Sequence, residues 1–349
     1  MADSAPDRPT PDRISRALAL PGLRQAAWFW KTFPALSLAL TGAFALSLLC
    51  GIVERIVYWD LRPKVFLLGD SGFCNYRLAP GEKLEDRMSA MLADRCVINF
   101  AKPGAQPIDL TLQYTRGKAV AGTPERVVAL LSPELLLAVP NRMDGDGEDL
   151  RHLPLDADGL AIFRHLSARE RNIAVVQRVS QWFLAPTDAT HELWLRWWKW
   201  PRKRIELTRS GPGRKAKIAE HCARRGEIME ATRMPSASEY DTLQSMRDVG
   251  LLLDRIASSG IEPEVVILPF GNPDLIAEHW SELAQGKRDT SIARLRHWLE
   301  SRRVSYLDFN EAQWSTAFPG AEWDDMDHLH SPKSYGLIAK RIAEHIPVP

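Results

Sequence analysis

The sequence predicts an α/β fold, a three-layer α/β/α sandwich around a parallel sheet. Three observations carry that expectation. From residue 64 onward, short apolar runs alternate with stretches of helical spacing; the runs are continuously apolar, as in strands buried on both faces; and 349 residues suffice to bury such a sheet.

KVFLLG (64–69) reads as the first strand, and EKLEDRMSAMLADR (82–95) places Leu84, Met88 and Met91/Leu92 at helical spacing. CVINF (96–100) reads as the second strand, 108–120 as a helix, and RVVALL (126–131) as the third strand. EVVILPF (264–270) and VSYLDF (304–309) follow, each after a helical stretch. The alternation breaks between Pro140 and about Asp241. NRMDGDGEDLRHLPLDADG (141–159) is rich in turn residues, and the positions after it look helical, so a helical insertion at about 141–241 is expected. Its acidic start is no calcium loop, because Asp149 stands where the EF-hand pattern requires glycine.

Ahead of the first strand, Phe33 to Val53 carries no charged residue and, at about 1.5 Å per residue, spans roughly 30 Å as a helix. Trp28, Phe29 and Trp30 precede it and Tyr58 and Trp59 follow, at the places of interfacial aromatic belts. We expect a single inner-membrane helix over 33–53, a cytoplasmic segment over 1–32, and the folded domain over 60–349 on the periplasmic side. Arg13, Arg16, Arg24 and Lys31 before the helix outweigh Arg55, Arg62 and Lys64 after it by a small margin.

Forty-five basic against forty-four acidic side chains leave no global field for nucleic acid, which is excluded as a partner. Four cysteines, one of them Cys50 in the apolar run, describe no disulfide framework; the spacing does not require Cys74 and Cys96 to pair. Within the insertion, HELWLRWWKWPRKR (191–204) interleaves Trp194, Trp197, Trp198 and Trp200 with Arg196, Lys199, Arg202, Lys203 and Arg204. The first three tryptophans share one helical face. That face suits core packing, contact with a membrane surface or membrane partner, or sugar stacking.

The stretch GDS (69–71) ends the first strand, where side chains of a parallel sheet face the ligand crevice. Gly69 allows a sharp departure from the strand, and the N–H of Ser71 can point at a developing oxyanion. A serine hydroxyl is a weak nucleophile without an adjacent base, usually oriented by a carboxylate. WDDMDHLHSPKSYGLIAKRIAEH (323–345) supplies both in one loop: Asp327 and His330, or, overlapping by two residues, Asp325 and His328. The alternating Asp324, Asp325, Asp327, His328 and His330 are not a closed zinc pattern; neither metal nor cofactor is expected.

GDS after the first strand, Gly104 in NFAKPGA after the second, and D-x-x-H before a closing helix resemble the SGNH/GDSL hydrolase superfamily, a flavodoxin-like α/β fold. The resemblance implies Ser71 as nucleophile, His330 as general base, Asp327 as its orienting carboxylate, and Ser71 and Gly104 as oxyanion donors; the downstream Ser331-Pro332 and Gly336 fit the family's pattern better with Asp327 and His330 than with Asp325 and His328. The family's G-x-N-D after the third strand is absent; Ser132, Pro133 and Glu134 stand there, and Asn141 and Asn272 could substitute, although a turn or cap role suits each of them better. Strand-then-Ser-Pro together with an N-terminal anchor resembles the membrane-anchored DltD-like branch and, more loosely, polysaccharide O-acetyltransferases.

The function expected is a membrane-anchored serine acyltransferase or esterase of the cell envelope. It moves an acetyl- or D-alanyl-type acyl group to or from a polysaccharide, glycolipid or polyol hydroxyl, with a multispanning acyl exporter as possible partner. The other expectation, motivated by the absent asparagine, is a non-catalytic envelope scaffold that binds glycan or a membrane partner through the tryptophan-rich stretch.

Overall fold

A computed structural model describes residues 33–74, 78–102, 104–133, 160, 162–164, 166, 171–172, 174–175, 213–314 and 316–346. The tryptophan-rich stretch, the acidic start of the insertion, Asn141 and the N-terminal segment 1–32 lie outside them.

Helix α1 (Pro34–Val57) covers the apolar run, with Leu36, Leu38, Leu49, Ile52 and Val53 exposed. Among the described residues no helix is long and apolar enough to cross a membrane; many side chains of α1 fall outside them.

The domain that follows begins with β1 (Lys64–Leu68), the short turn α2 (Ser71–Cys74), α3 (Leu84–Met91), β2 (Cys96–Asn99), α4 (Pro107–Ala121) and β3 (Arg126–Leu130). Later in the chain come α5 (Gly213–Ala231), α6 (Gln244–Ser258), β4 (Pro263–Ile267), α7 (Pro273–His279), α8 (Glu282–Ser301), β5 (Ser305–Asp308) and α9 (Pro332–His345). The strands form a parallel sheet in the order β2-β1-β3-β4-β5. Between β3 and β4 the described residues contain no strand, only α5, α6, a 3-10 turn and isolated helical residues.

Side-chain alternation explains why the strands read as unbroken apolar runs. Phe66 and Leu68 of β1, Val127 and Ala129 of β3, and Val265 and Ile267 of β4 pack on one face against α4, α6 and α8, through Tyr114, Leu252 and Leu295. Val65, Leu67, Val128, Leu130 and Val266 point to the other face, against Met88 of α3 and Ile338 and Ile342 of α9. The expected three layers are therefore present. The order places the change of direction between β1 and β3, and in such sheets the crevice above that point takes the ligand.

Candidate active site

Ser71 is the first residue of α2, immediately past β1, and the turn beneath it is fixed from several sides. The buried Gln113 of α4 accepts from the Gly69 N–H (2.9 Å) and donates to its carbonyl (3.0 Å). Asp70 Oδ1 accepts from the Gly72 N–H (2.8 Å), Asn99 Nδ2 donates to the Phe73 carbonyl (2.8 Å), and Tyr335 of α9 donates to the Gly72 carbonyl (3.0 Å). Burial raises the pKa of Asp70; its bond from Gly72 and the nearby His328 oppose that. Glycine is required at 69 by close approach: a Cβ there would sit 2.8 Å from Leu130 Cβ. Substituting Gln113→Leu would leave the buried Gly69 N–H without that acceptor, while the Gly69 carbonyl keeps its bond from the Lys102 N–H (3.0 Å). We expect a loss of about 1–3 kcal/mol, measured by urea unfolding.

The base comes from the loop before α9. Trp323 and Leu329 form an antiparallel bridge, the Asp324 N–H donates to the His328 carbonyl (2.9 Å), and Trp323, Met326 and Leu329 are buried. This closed loop turns Asp325 and His328 toward β1. His328 Nε2 lies 2.9 Å from Ser71 Oγ, and His328 Nδ1 lies 2.8 Å from Asp325 Oδ1. Burial alone would raise the pKa of Asp325. The bond and charge of His328 and the N–H groups of Asp327 and His328 outweigh it and hold the carboxyl at about 2. An ionised Asp325 must accept at Nδ1, so Nε2 of the neutral ring faces the serine as an acceptor.

The structure thus corrects the expected pairing of Asp327 with His330. His330 is exposed and its N–H donates to the Glu322 carbonyl, while Asp327 forms an ion pair with Arg225 of α5. Ser331-Pro332, on which the expected register rests, belongs to the helix start instead. The Ser331 hydroxyl caps α9 by accepting from the Lys333 N–H, with Pro332 as the first helical residue. These two residues leave the register of the loop to its buried side chains.

A cavity of about 220 Å³ opens in front of the serine at the carboxyl edge of the sheet. Ser71, His328, Arg225, Ser132 and Leu268 are among the residues that line it. Gly104 is exposed in a turn at φ +74° before α4 and does not line it. Asn272 caps α7, accepting from the Asp274 N–H, and also lies outside the lining. Ser132 follows β3, the strand beside β1, and lines the cavity together with the nucleophile. Leu68 pairs with Ala129 in the sheet, so Ser71 and Ser132 each stand three residues past aligned positions. Among the described residues no cluster of His, Cys, Asp and Glu is placed to hold a metal ion, and no disulfide joins Cys74 and Cys96.

Sequence reasoning did not single out Gln113, Asn99 or Arg225. The first carried a signal, an amide between Leu112 and Tyr114 on a helix otherwise heading for burial. Arg225 carried none, since only the fold brings α5 to the loop.

The chain matches no family model and no curated protein. Among solved structures, one similar to it is described as a lipolytic protein of the G-D-S-L family from Desulfitobacterium hafniense DCB-2. It shows 11% sequence identity and a TM-score of 0.38, over 81% of this chain and 99% of that one.

Proposed function

We propose that this chain is a serine acyl-transfer enzyme of SGNH/GDSL type, an esterase or O-acyltransferase. The observation that carries the reading is the continuous line from Asp325 through His328 to Ser71 Oγ, at 2.8 and 2.9 Å, beside a cavity. His328 Nε2 removes the hydroxyl proton as Oγ bonds to an ester carbonyl carbon, and the carbonyl oxygen becomes the oxyanion of a tetrahedral intermediate. His328 then returns the proton to the departing alcohol, leaving the acyl group on Ser71. Water or a second hydroxyl, deprotonated by His328, takes the acyl group in the next step.

The Ser71 N–H stands at the first position of a helical turn, where no intrahelical acceptor exists. It serves as one oxyanion donor, and Ser132, at the end of the neighbouring strand and in the same cavity, takes the place of the missing asparagine. Ser132→Ala should lower kcat about 10- to 100-fold with a small change in KM, measured on an activated ester. The formed line of side chains weighs against the scaffold reading.

The finer assignment rests on the sequence. The uncharged run from Phe33 to Val53, helical from Pro34 onward in the 24-residue α1, supports anchoring in the inner membrane with the domain outside. The resemblance to the DltD-like branch supports an envelope polysaccharide, glycolipid or polyol as acceptor, and a multispanning acyl exporter as partner. Incubation with a p-nitrophenyl ester, acid quench and peptide mass mapping tests the reaction: an acyl adduct on the Ser71 peptide is expected, and turnover without any adduct in that peptide would refute the mechanism. Adding a polyol separates the two fates, since a transferase yields the acylated polyol and an esterase the free acid.

A further inference from the structure

One cation stands among the described residues that line the cavity, and it comes from the segment that interrupts the strand pattern. Helix α5 is seated firmly. Trp280 Nε1 donates to the Cys222 carbonyl (3.0 Å), and Gly226 lies so near the Trp280 ring that a Cβ would approach it to 2.8 Å. Cys222, Met229, Phe270, Trp280 and Met326 share one buried cluster. On the same side of α5, Cys222 Sγ lies 3.4 Å from Met326 Sδ, and Arg225 forms its ion pair with Asp327. The helix therefore grips two successive residues between Asp325 and His328. The second has a further tie, because the Asp327 N–H donates to Asp325 Oδ1 (2.9 Å), the oxygen that also meets His328 Nδ1.

We propose that Arg225 is a positioning residue for the acid-base loop: by pairing with Asp327 it holds the loop against α5 and neutralises a carboxylate adjacent to His328. The inference rests on the acyl-enzyme reading of Ser71 and extends it to a residue that touches neither reacting atom.

The charges around the imidazole show what the pair does. Asp325 and Asp327 face it from its own loop, Asp70 from the end of β1, and Arg225 from α5. The lining segments after β3 and β4, Ser132-Pro133 and Leu268 to Gly271, bring no charge. Asp70 Oδ1 is engaged by the Gly72 N–H (2.8 Å), and Asp325 is used in orienting Nδ1. Asp327 is the remaining carboxylate, and Arg225 cancels it. Without the guanidinium, an uncompensated negative charge beside His328 would favour the imidazolium, which cannot accept the serine proton.

The test uses the full chain with selectively labelled histidine, the His328 resonance being identified by its loss in His328→Gln. Two readouts are followed against pH: the His328 titration and the rate at which a fluorophosphonate labels Ser71. Arg225→Gln should raise the His328 midpoint by about one pH unit and slow labelling about tenfold on the acid limb, with a smaller loss on the plateau. Arg225→Gln combined with Asp327→Asn should bring the midpoint back toward wild type, and Arg225→Lys should keep most of it. An unmoved midpoint in Arg225→Gln overturns the proposal, whether that variant melts early or shows only a raised KM. A moved midpoint in a chain whose Ser71 is never labelled would instead sink the acyl-enzyme reading while leaving the electrostatic role of the pair standing.

Discussion

Ser71→Ala is expected to abolish fluorophosphonate labelling and to lower ester turnover by about 10³-fold or more, with stability unchanged within about 0.5 kcal/mol. The size of the effect follows from the chemistry. No other hydroxyl in the described site has a ring nitrogen at 2.9 Å, so loss of Oγ removes the group that forms the covalent bond. Background attack by water on a bound ester, helped by the remaining oxyanion donors, sets the residual rate. The fold has little reason to respond, because Gln113, Asp70, Asn99 and Tyr335 hold the turn through the backbone of residues 69, 72 and 73. Full labelling of Ser71→Ala at another serine would refute the assignment.

The second large effect separates two histidines two positions apart. His328→Gln and Asp325→Asn should each cost about 10³–10⁴-fold in kcat/KM, whereas His330→Gln should change it less than about twofold. The carboxylate matters because Nδ1–H must be held for Nε2 to accept a proton. An amide at position 325 can present a donor to Nδ1 and stabilise the wrong tautomer. Since the Asp325 carboxyl sits at about 2, it remains ionised wherever His328 titrates. The acid limb of kcat/KM should therefore fall with a slope of one and belong to the imidazole. Equal losses in the two histidine variants would show that the loop rearranges when substrate binds.

How much of this was legible in the sequence varies with the range of the interaction involved. Each predicted strand and the helices at 82–95 and 108–120 have counterparts, because continuous apolar runs and helical spacing report burial that alternates locally along the chain. Ser71 was legible as well. A strand ending in Gly-Asp-Ser places a hydroxyl at the sheet's carboxyl edge whatever the rest of the chain does. The base was legible only as a choice of two. Both D-x-x-H readings obey the same spacing, and the residues downstream of them serve the cap of α9 equally in either case.

The sequence by itself determined the parallel α/β sandwich, the crevice at the end of β1 and the kinds of side chain that meet there. These depend on unbroken apolar runs and on apolar spacings of three to four residues, which the physics of burial imposes element by element. Only the tertiary structure decided that His328 and not His330 reaches the serine, that Asp327 is taken by Arg225, and that Ser132 lines the same cavity as Ser71. Those outcomes depend on packing between segments remote in the chain, on Met326 entering the cluster around Trp280 and on the alignment of β1 with β3. No local pattern encodes such contacts, since the free energy that selects them arises once the layers have closed.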